Sequence, residues 1–192
     1  LILPLTDEWA YYHGGHRDFT EPLGLQSGDF YEHDRAIEAF EAYLDVILRR
    51  TNALTGIHYS DDPTIMAWEL GNELEGMTAR WIDRIAGFIK ARAPRQLVAA
   101  GRRFGVDDGA VAAEKIDIVD AHYYPPTVDK LIADSARVTN AGKVYVVGEY
   151  GSDAATDELL RPLAHQVEIT GLIVWSLFPH ADEEGYVEHG DG

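Results

Sequence analysis

The chain has no cysteine among its 192 residues, which removes disulfides, thiol nucleophiles and cysteine-held metals from consideration. Long apolar runs are missing too, since no stretch nears the ~18 residues that carry a helix across a bilayer. Basic charge is scarce, with 16 Lys and Arg against 33 Asp and Glu and a net charge of −17. A nucleic-acid surface needs clustered Lys and Arg, and an anionic membrane surface asks for the same, so neither is expected as a partner. No G-x-G-x-x-G follows the first apolar run, which argues against a doubly wound dinucleotide-binding sheet. No repeat, low-complexity segment or linker divides the sequence.

What is present has an order. Apolar residues make up 46% and charged residues 26%, proportions that suit one domain with a sizeable core. Six strand-like runs occur, at Leu1 to Leu5, Thr64 to Trp68, Gln96 to Ala100, Asp117 to Ala121, Lys143 to Val147 and Gly171 to Ser176. They are nearly continuous in Val, Ile, Leu and Ala, as strands buried on both faces of a parallel sheet are. Between them lie helical periods. Ile37, Phe40, Leu44, Ile47 and Leu48 follow Asp34 as N-cap; Trp81, Ile82, Ile85, Phe88 and Ile89 follow Thr78 and stop before Pro94. A third helix follows Thr127 and ends at Gly142, and a weaker one spans Thr156 to Glu168 with Pro162 inside it.

Strand and helix in alternation predict parallel strands joined by right-handed crossovers. Polar and aromatic residues crowd the strand ends: Asp7, Trp9, Asn72, Glu73, His122, Tyr124, Glu149 and Trp175. One chemistry-bearing rim of an α/β chain predicts a (β/α)8 TIM barrel, whose reactive groups stand where the strands exit. Six strands fall short of eight, and such barrels run to about 250 residues. The expectation is therefore an incomplete barrel, about strands 3 to 8, with 1–192 a single domain lacking its first two βα units and its final helix. The start at Leu1-Ile-Leu-Pro-Leu5, without Met, fits that expectation.

Glu73 and Glu149 are the candidate catalytic pair. Each follows an apolar run, Asn72 precedes the first, and Gly148 and Gly151 flank the second. Two carboxyl groups on different strands of one barrel are the minimum equipment for cutting a glycosidic bond. Partial burial is expected to raise the pKa of an acid at Glu73. Either residue read alone is also compatible with a helix-start or loop carboxylate. His122 and Tyr124 end the strand before Glu149, where a tyrosine hydroxyl can hold a carboxylate ionised. Trp9 and Trp175, with Tyr11 and Tyr12, offer aromatic faces to the C–H faces of sugars, although isolated aromatics are more often core. In His13-Gly-Gly-His16 the Gly-Gly spacer gives no helical i, i+4 geometry, and the acidic tail (Asp182, Glu183, Glu184, Asp191) lacks the calcium-loop pattern, so no metal and no cofactor are expected.

Five segments together, Leu5-Thr-Asp-Glu-Trp-Ala-Tyr-Tyr-His-Gly-Gly15, Ala67-Trp-Glu-Leu-Gly-Asn-Glu73, His122-Tyr-Tyr124, Gly148-Glu-Tyr-Gly151 and Trp175-Ser-Leu-Phe178, resemble glycoside hydrolase family 5 and its β-mannanase-like members. The resemblance implies a retaining double displacement, with Glu73 as acid/base and Glu149 as nucleophile about 5–5.5 Å apart. It implies that Asn72 bonds the sugar 2-hydroxyl, that His122 lines the cleavage subsite and that Tyr124 orients Glu149. Trp175 would underlie the sugar before a cis peptide. It also implies an arginine upstream of Leu1, and that the 192-residue piece alone is inactive or poorly soluble. Ser152 stands where relatives often place an aromatic. The expected substrate is a polysaccharide, β-mannan first, and an extracellular location follows from the substrate class. A cellulase-like or exo-β-mannosidase specificity, or a carbohydrate-binding barrel without catalysis, remains open on the same fold.

Overall fold

A computed structural model describes residues 1–10, 15–175, 180–181 and 185–186. The apolar runs form a six-stranded parallel sheet whose spatial order is its sequence order: β1 (Ile2–Pro4), β2 (Ala67–Glu69), β3 (Leu97–Arg103), β4 (Ile118–Tyr123), β5 (Val144–Gly151) and β6 (Ile169–Trp175). Each βα unit adds one strand beside the last, giving the curled wall of a partial (β/α)8 barrel. A two-residue pair, His180–Ala181 with Gly185–Tyr186, lies in a separate small sheet.

Among the described residues, five α-helices cover the outer face: α1 (Asp34–Arg49), α2 (Ala79–Arg92), α3 (Asp108–Ala112), α4 (Val128–Asn140) and α5 (Asp157–Leu163). In α1, Ala36, Ile37, Phe40, Leu44 and Leu48 are buried; in α2, Trp81, Ile82, Ile85, Ala86 and Ile89 are. The cap of α1 is His33, whose ring accepts from the Arg35 amide, so Asp34 is the first helical residue rather than the cap. Thr78, Thr127 and Thr156 cap α2, α4 and α5 with their hydroxyls. Gly142 follows α4 at φ 75°, the left-handed exit that its sequence position predicts. The last helix ends at Leu163, short of Glu168, with Pro162 inside it. Sequence periodicity misses α3, which is too short to show a period, and the 3-10 turns between residues 15 and 31.

The middle strands β2 to β4 are largely buried on both sides, whereas β1 and β6 at the ends are not. Outward, Trp68, Val98, Val119 and Val147 join the helices in the main core. Inward, Ala67, Ala99, Ile118 and Val146 form a separate small apolar cluster with Ile2 and Leu97. Two residues further along the strands the inward positions become Glu69, Gly101, Asp120 and Gly148, and the layer turns acidic. Beyond it lies the rim.

Candidate active site

Local backbone geometry places each glutamate. Glu73 lies four residues past β2 with φ at 57°, a left-handed conformation that non-glycine residues rarely adopt. Its flanks are pinned, with the Asn72 amide donating to Thr6 O at 2.9 Å and the Leu74 amide to Gly101 O at 3.2 Å. The chain holds Glu73 in a conformation costing about 1–2 kcal/mol, and such outliers cluster at working sites. Glu149 is aimed by a register shift. Ala121 pairs with Val147 but His122 pairs with Glu149, so Gly148 is an extra residue on β5. A bulge of this kind re-aims the side chain beside it. It sets Glu149 next to His122.

The two carboxylates meet on that imidazole. His122 Nδ1 lies 2.9 Å from Glu73 Oε1 and 3.4 Å from Glu149 Oε2. Trp9 Nε1 donates to Glu73 Oε2 at 2.6 Å, and the Tyr124 hydroxyl donates to Glu149 Oε2 at 2.8 Å. One atom from each of Glu73, His122 and Glu149 falls within 4.8 Å of the others, the one such group of possible metal ligands among the described residues. Because Nδ1 already faces both carboxylates, the trio is a self-satisfied hydrogen-bonded set more than an open ligand set.

Protonation follows from these contacts. Burial pushes the Glu73 carboxyl up, but the bonds donated by His122 and Trp9 overcome it and hold the group below the ordinary range. The expected rise at Glu73 is therefore absent in the free chain. Burial raises Glu149, and His122 and Tyr124 offset only part of that. His122 is buried, which disfavours its charge, yet Asp120, Glu73 and Glu149 raise it to about 10. The cluster thus carries its proton on the imidazole.

Beneath it sits a second pair of acids. Asp120 Oδ2 is 3.7 Å from His122 Nε2, and Glu69 is buried and pushed well above the usual carboxylate range by burial and by the Asp120 charge. Glu69 Oε1 and Asp120 Oδ1 find no hydrogen-bond partner. Glycines make the room: a Cβ at Gly101 would lie 1.9 Å from Glu69 Oε1, and one at Gly148 would lie 2.4 Å from both Asp120 oxygens.

A cleft of about 1020 Å³ opens above the trio, lined by Trp9, Asn72, Glu73, Tyr124, Glu149 and Trp175 among others. The structure thus brings six of the predicted residues to one wall, with His122 buried just behind it at 3% exposure. Asn72 Nδ2 donates to Asp7 Oδ2 at 3.3 Å. Trp9 is half-buried and holds Glu73, so it is more than an exposed platform. The Trp175–Ser176 peptide, Tyr11, Tyr12, His13 and the acidic tail lie outside the described residues. His16 is buried and bonded to Ser27, with its ring stacked on Phe30, a packing role. Sequence reasoning misses Glu69, Asp120, Arg103 and Phe104. The available signal was a lone glycine inside each of two strands, which marks close approach of another group.

A partial (β/α)8 barrel with two glutamates converging on one imidazole nitrogen at the strand exits defines the class: the barrel architecture of glycoside hydrolases. Residues 9–131 match the family described as GH family 5 beta-mannosidase-like, and the chain belongs to glycoside hydrolase family 5. It is 35% identical over 139 residues to mannan endo-1,4-beta-mannosidase 2 of Oryza sativa subsp. japonica, covering 65% of this chain and 31% of that protein. It is 40% identical over 115 residues to mannan endo-1,4-beta-mannosidase 5 of Arabidopsis thaliana, covering 53% of this chain and 26% of that one. The chain thus spans about a third or less of the length of these relatives. Among solved structures, the endo-1,4-beta-mannanase from Rhizomucor miehei superposes with a TM-score of 0.82 at 25% identity, over 98% of this chain and 66% of that one.

Proposed function

We propose that the protein carrying this sequence hydrolyses β-1,4-glycosidic bonds in a polysaccharide, β-mannan first, by a retaining double displacement. The observation that carries this reading is the convergence of Glu73 and Glu149 on His122, with one oxygen of each within 4.8 Å. Facing carboxyls at about 5 Å leave no room for a water between the second carboxylate and the sugar, so that carboxylate attacks directly. Glu149 adds to the anomeric carbon while Glu73 protonates the departing oxygen; water then attacks the glycosyl-enzyme, with Glu73 taking its proton. The His122 proton, 2.9 Å from Glu73 Oε1, supplies the acid form. Its transfer leaves a neutral imidazole and a glutamic acid, with the same count of protons in the cluster. Asn72 and Trp175, lining the cleft, are assigned to the sugar in the cleavage subsite, and Tyr124 to orienting Glu149. A polymer substrate places the enzyme outside the cell, and among the described residues no helix is long and apolar enough to cross a membrane.

The test is covalent trapping with a 2-fluoro β-mannoside followed by peptide mapping, alongside assays on mannan, glucomannan, cellulose and aryl glycosides. Label on the peptide holding Glu149 supports the assignment, and Glu149→Gln and Glu73→Gln should each lower turnover by roughly 10²–10⁴-fold. The protonation of the free chain favours a second reading, with the roles exchanged, and label on Glu73 would establish that order. Binding of mannan with no label on either residue would make the protein a carbohydrate binder instead.

A further inference from the structure

One buried carboxylate near the site takes no part in the chemistry above. An imidazolium that gives its Nδ1 proton to Glu73 keeps a second proton on Nε2, and the group facing that nitrogen decides how firmly both are held. Nδ1 meets Glu73 and Glu149, whereas Nε2 meets Asp120, with Oδ2 at 3.7 Å. Asp120 lies in the space that Gly148 leaves open on β5, it is buried, and its Oδ1 has no hydrogen-bond partner. A buried carboxylate in that state is costly unless a cation stands against it. Among the described residues, the ion pair that Asp120 makes is with His122.

The other charges around the ring leave this task to Asp120. Glu73 after β2 and Glu149 on β5 face Nδ1, and Trp9 and Tyr124 donate to them. Arg103 on β3, the register partner of His122, acts on Glu73. Glu69 on β2 is pushed well above the usual carboxylate range by burial and then by the Asp120 charge, with Glu149 and Asp7 adding to it, so it stays neutral. Two adjacent buried acids do not both ionise, and Asp120, with the imidazole beside it, is the charged one. Burial by itself would strip the ring of charge; Asp120 leads the groups that reverse this, and the ring titrates at about 10. We infer that Asp120 is a positioning residue: it holds the second proton on Nε2 and so keeps the Nδ1 proton in store for Glu73. In the transfer the Nδ1–H bond breaks, its electron pair stays on nitrogen, and an O–H bond forms on Glu73. The departing oxygen takes that proton, and water returns one in the second step. This rests on the glycosidase reading and on Glu73 as the acid.

The experiment measures kcat/KM from about pH 5 to about pH 10 for Asp120→Asn, Asp120→Ala, Glu69→Gln and the unmodified protein, on two substrates. Mannohexaose needs a proton on its departing oxygen, whereas the leaving group of a dinitrophenyl β-mannobioside departs without one. On mannohexaose, the alkaline limb of both Asp120 variants should move down by roughly one to two pH units, because the opposite charge beside the ring is gone. Their activity on the acid side should stay within about threefold of the unmodified protein, which a merely structural role would not spare. The dinitrophenyl substrate should show no such shift. Glu69→Gln should leave the alkaline limb in place, since a neutral amide replaces a neutral acid. Nitrogen-15 shifts of the His122 ring should follow the same displacement in Asp120→Asn. An alkaline limb unmoved in both Asp120 variants, or a uniform loss at every pH on both substrates, overturns the inference while leaving the hydrolase reading in place. A shift in Glu69→Gln equal to that in Asp120→Asn would put the charge on Glu69 and overturn it too. Failure of the unmodified protein to cleave either substrate at any pH removes both readings together.

Discussion

At the scale of single residues, the site is governed by proton placement and by space. Glu73 accepts from two donors, and the resulting preference for the carboxylate outweighs its burial. Glu149 has one hydroxyl donor and lies further from the same imidazole nitrogen, at 3.4 Å, and burial wins. The acids below depend on two missing Cβ atoms. Gly148→Ala would put a methyl 2.4 Å from both Asp120 oxygens. The buried carboxylate has little room to yield, so the change should cost about 1–3 kcal/mol in a denaturant melt. Adding Asp120→Ala should recover part of that loss, because the clash is removed. A double variant no more stable than Gly148→Ala alone would place the strain in the bulge itself. The sequence showed these glycines but not their partners, since a glycine's neighbour in space is decided by strand register.

At the scale of elements, caps and apolar periods set the helices and the sheet orders them. Thr78 Oγ1 accepts from the Trp81 amide at 3.2 Å and starts α2, whose buried Trp81 packs among Phe30, Phe40 and Tyr31. The α1–α2 pair is further tied by Arg84, which donates to both oxygens of Glu41 at 2.8 Å. Thr78→Ala removes the cap and should lower stability by about 1 kcal/mol, with Thr78→Ser retaining most of it. Equal melts for Thr78→Ala and the parent would show that tertiary packing alone fixes the helix start. The caps at Thr78, Thr127 and Thr156 and the exit at Gly142 were legible because each is a local hydrogen-bonding or φ preference. The α3 helix and the β5 bulge were not. Five residues carry too little periodicity to read, and a bulge is a mismatch between two strands, not a property of one.

For the whole molecule, the buried imidazole couples charge to folding. His122 rises from an ordinary 6.5 to about 10 in the folded chain, so the native state binds that proton more tightly than the unfolded state. The stabilisation is fully present below about pH 6.5 and is lost as pH climbs towards 10. It needs Asp120 on β4, Glu73 after β2 and Glu149 on β5 at once, and so it reports the assembled sheet. Urea midpoints should fall between pH 7 and 10, and the slope should flatten in His122→Gln. A slope unchanged by that substitution would mean that the imidazole is neutral throughout.

The sequence by itself determined the alternation of strand and helix, the parallel order of six strands and the rim on which polar and aromatic residues gather. Apolar period, cap chemistry and the exclusion of cysteine are properties of a few neighbouring residues, and they survive reading one chain alone. Tertiary structure alone decided that Glu73 and Glu149 share one imidazole, that the proton rests there, and that Glu69 and Asp120 lie beneath in the space left by Gly101 and Gly148. The reason is that electrostatic and steric energies depend on separation in space. Residues far apart along the chain acquire that separation only when the strands are laid side by side in register.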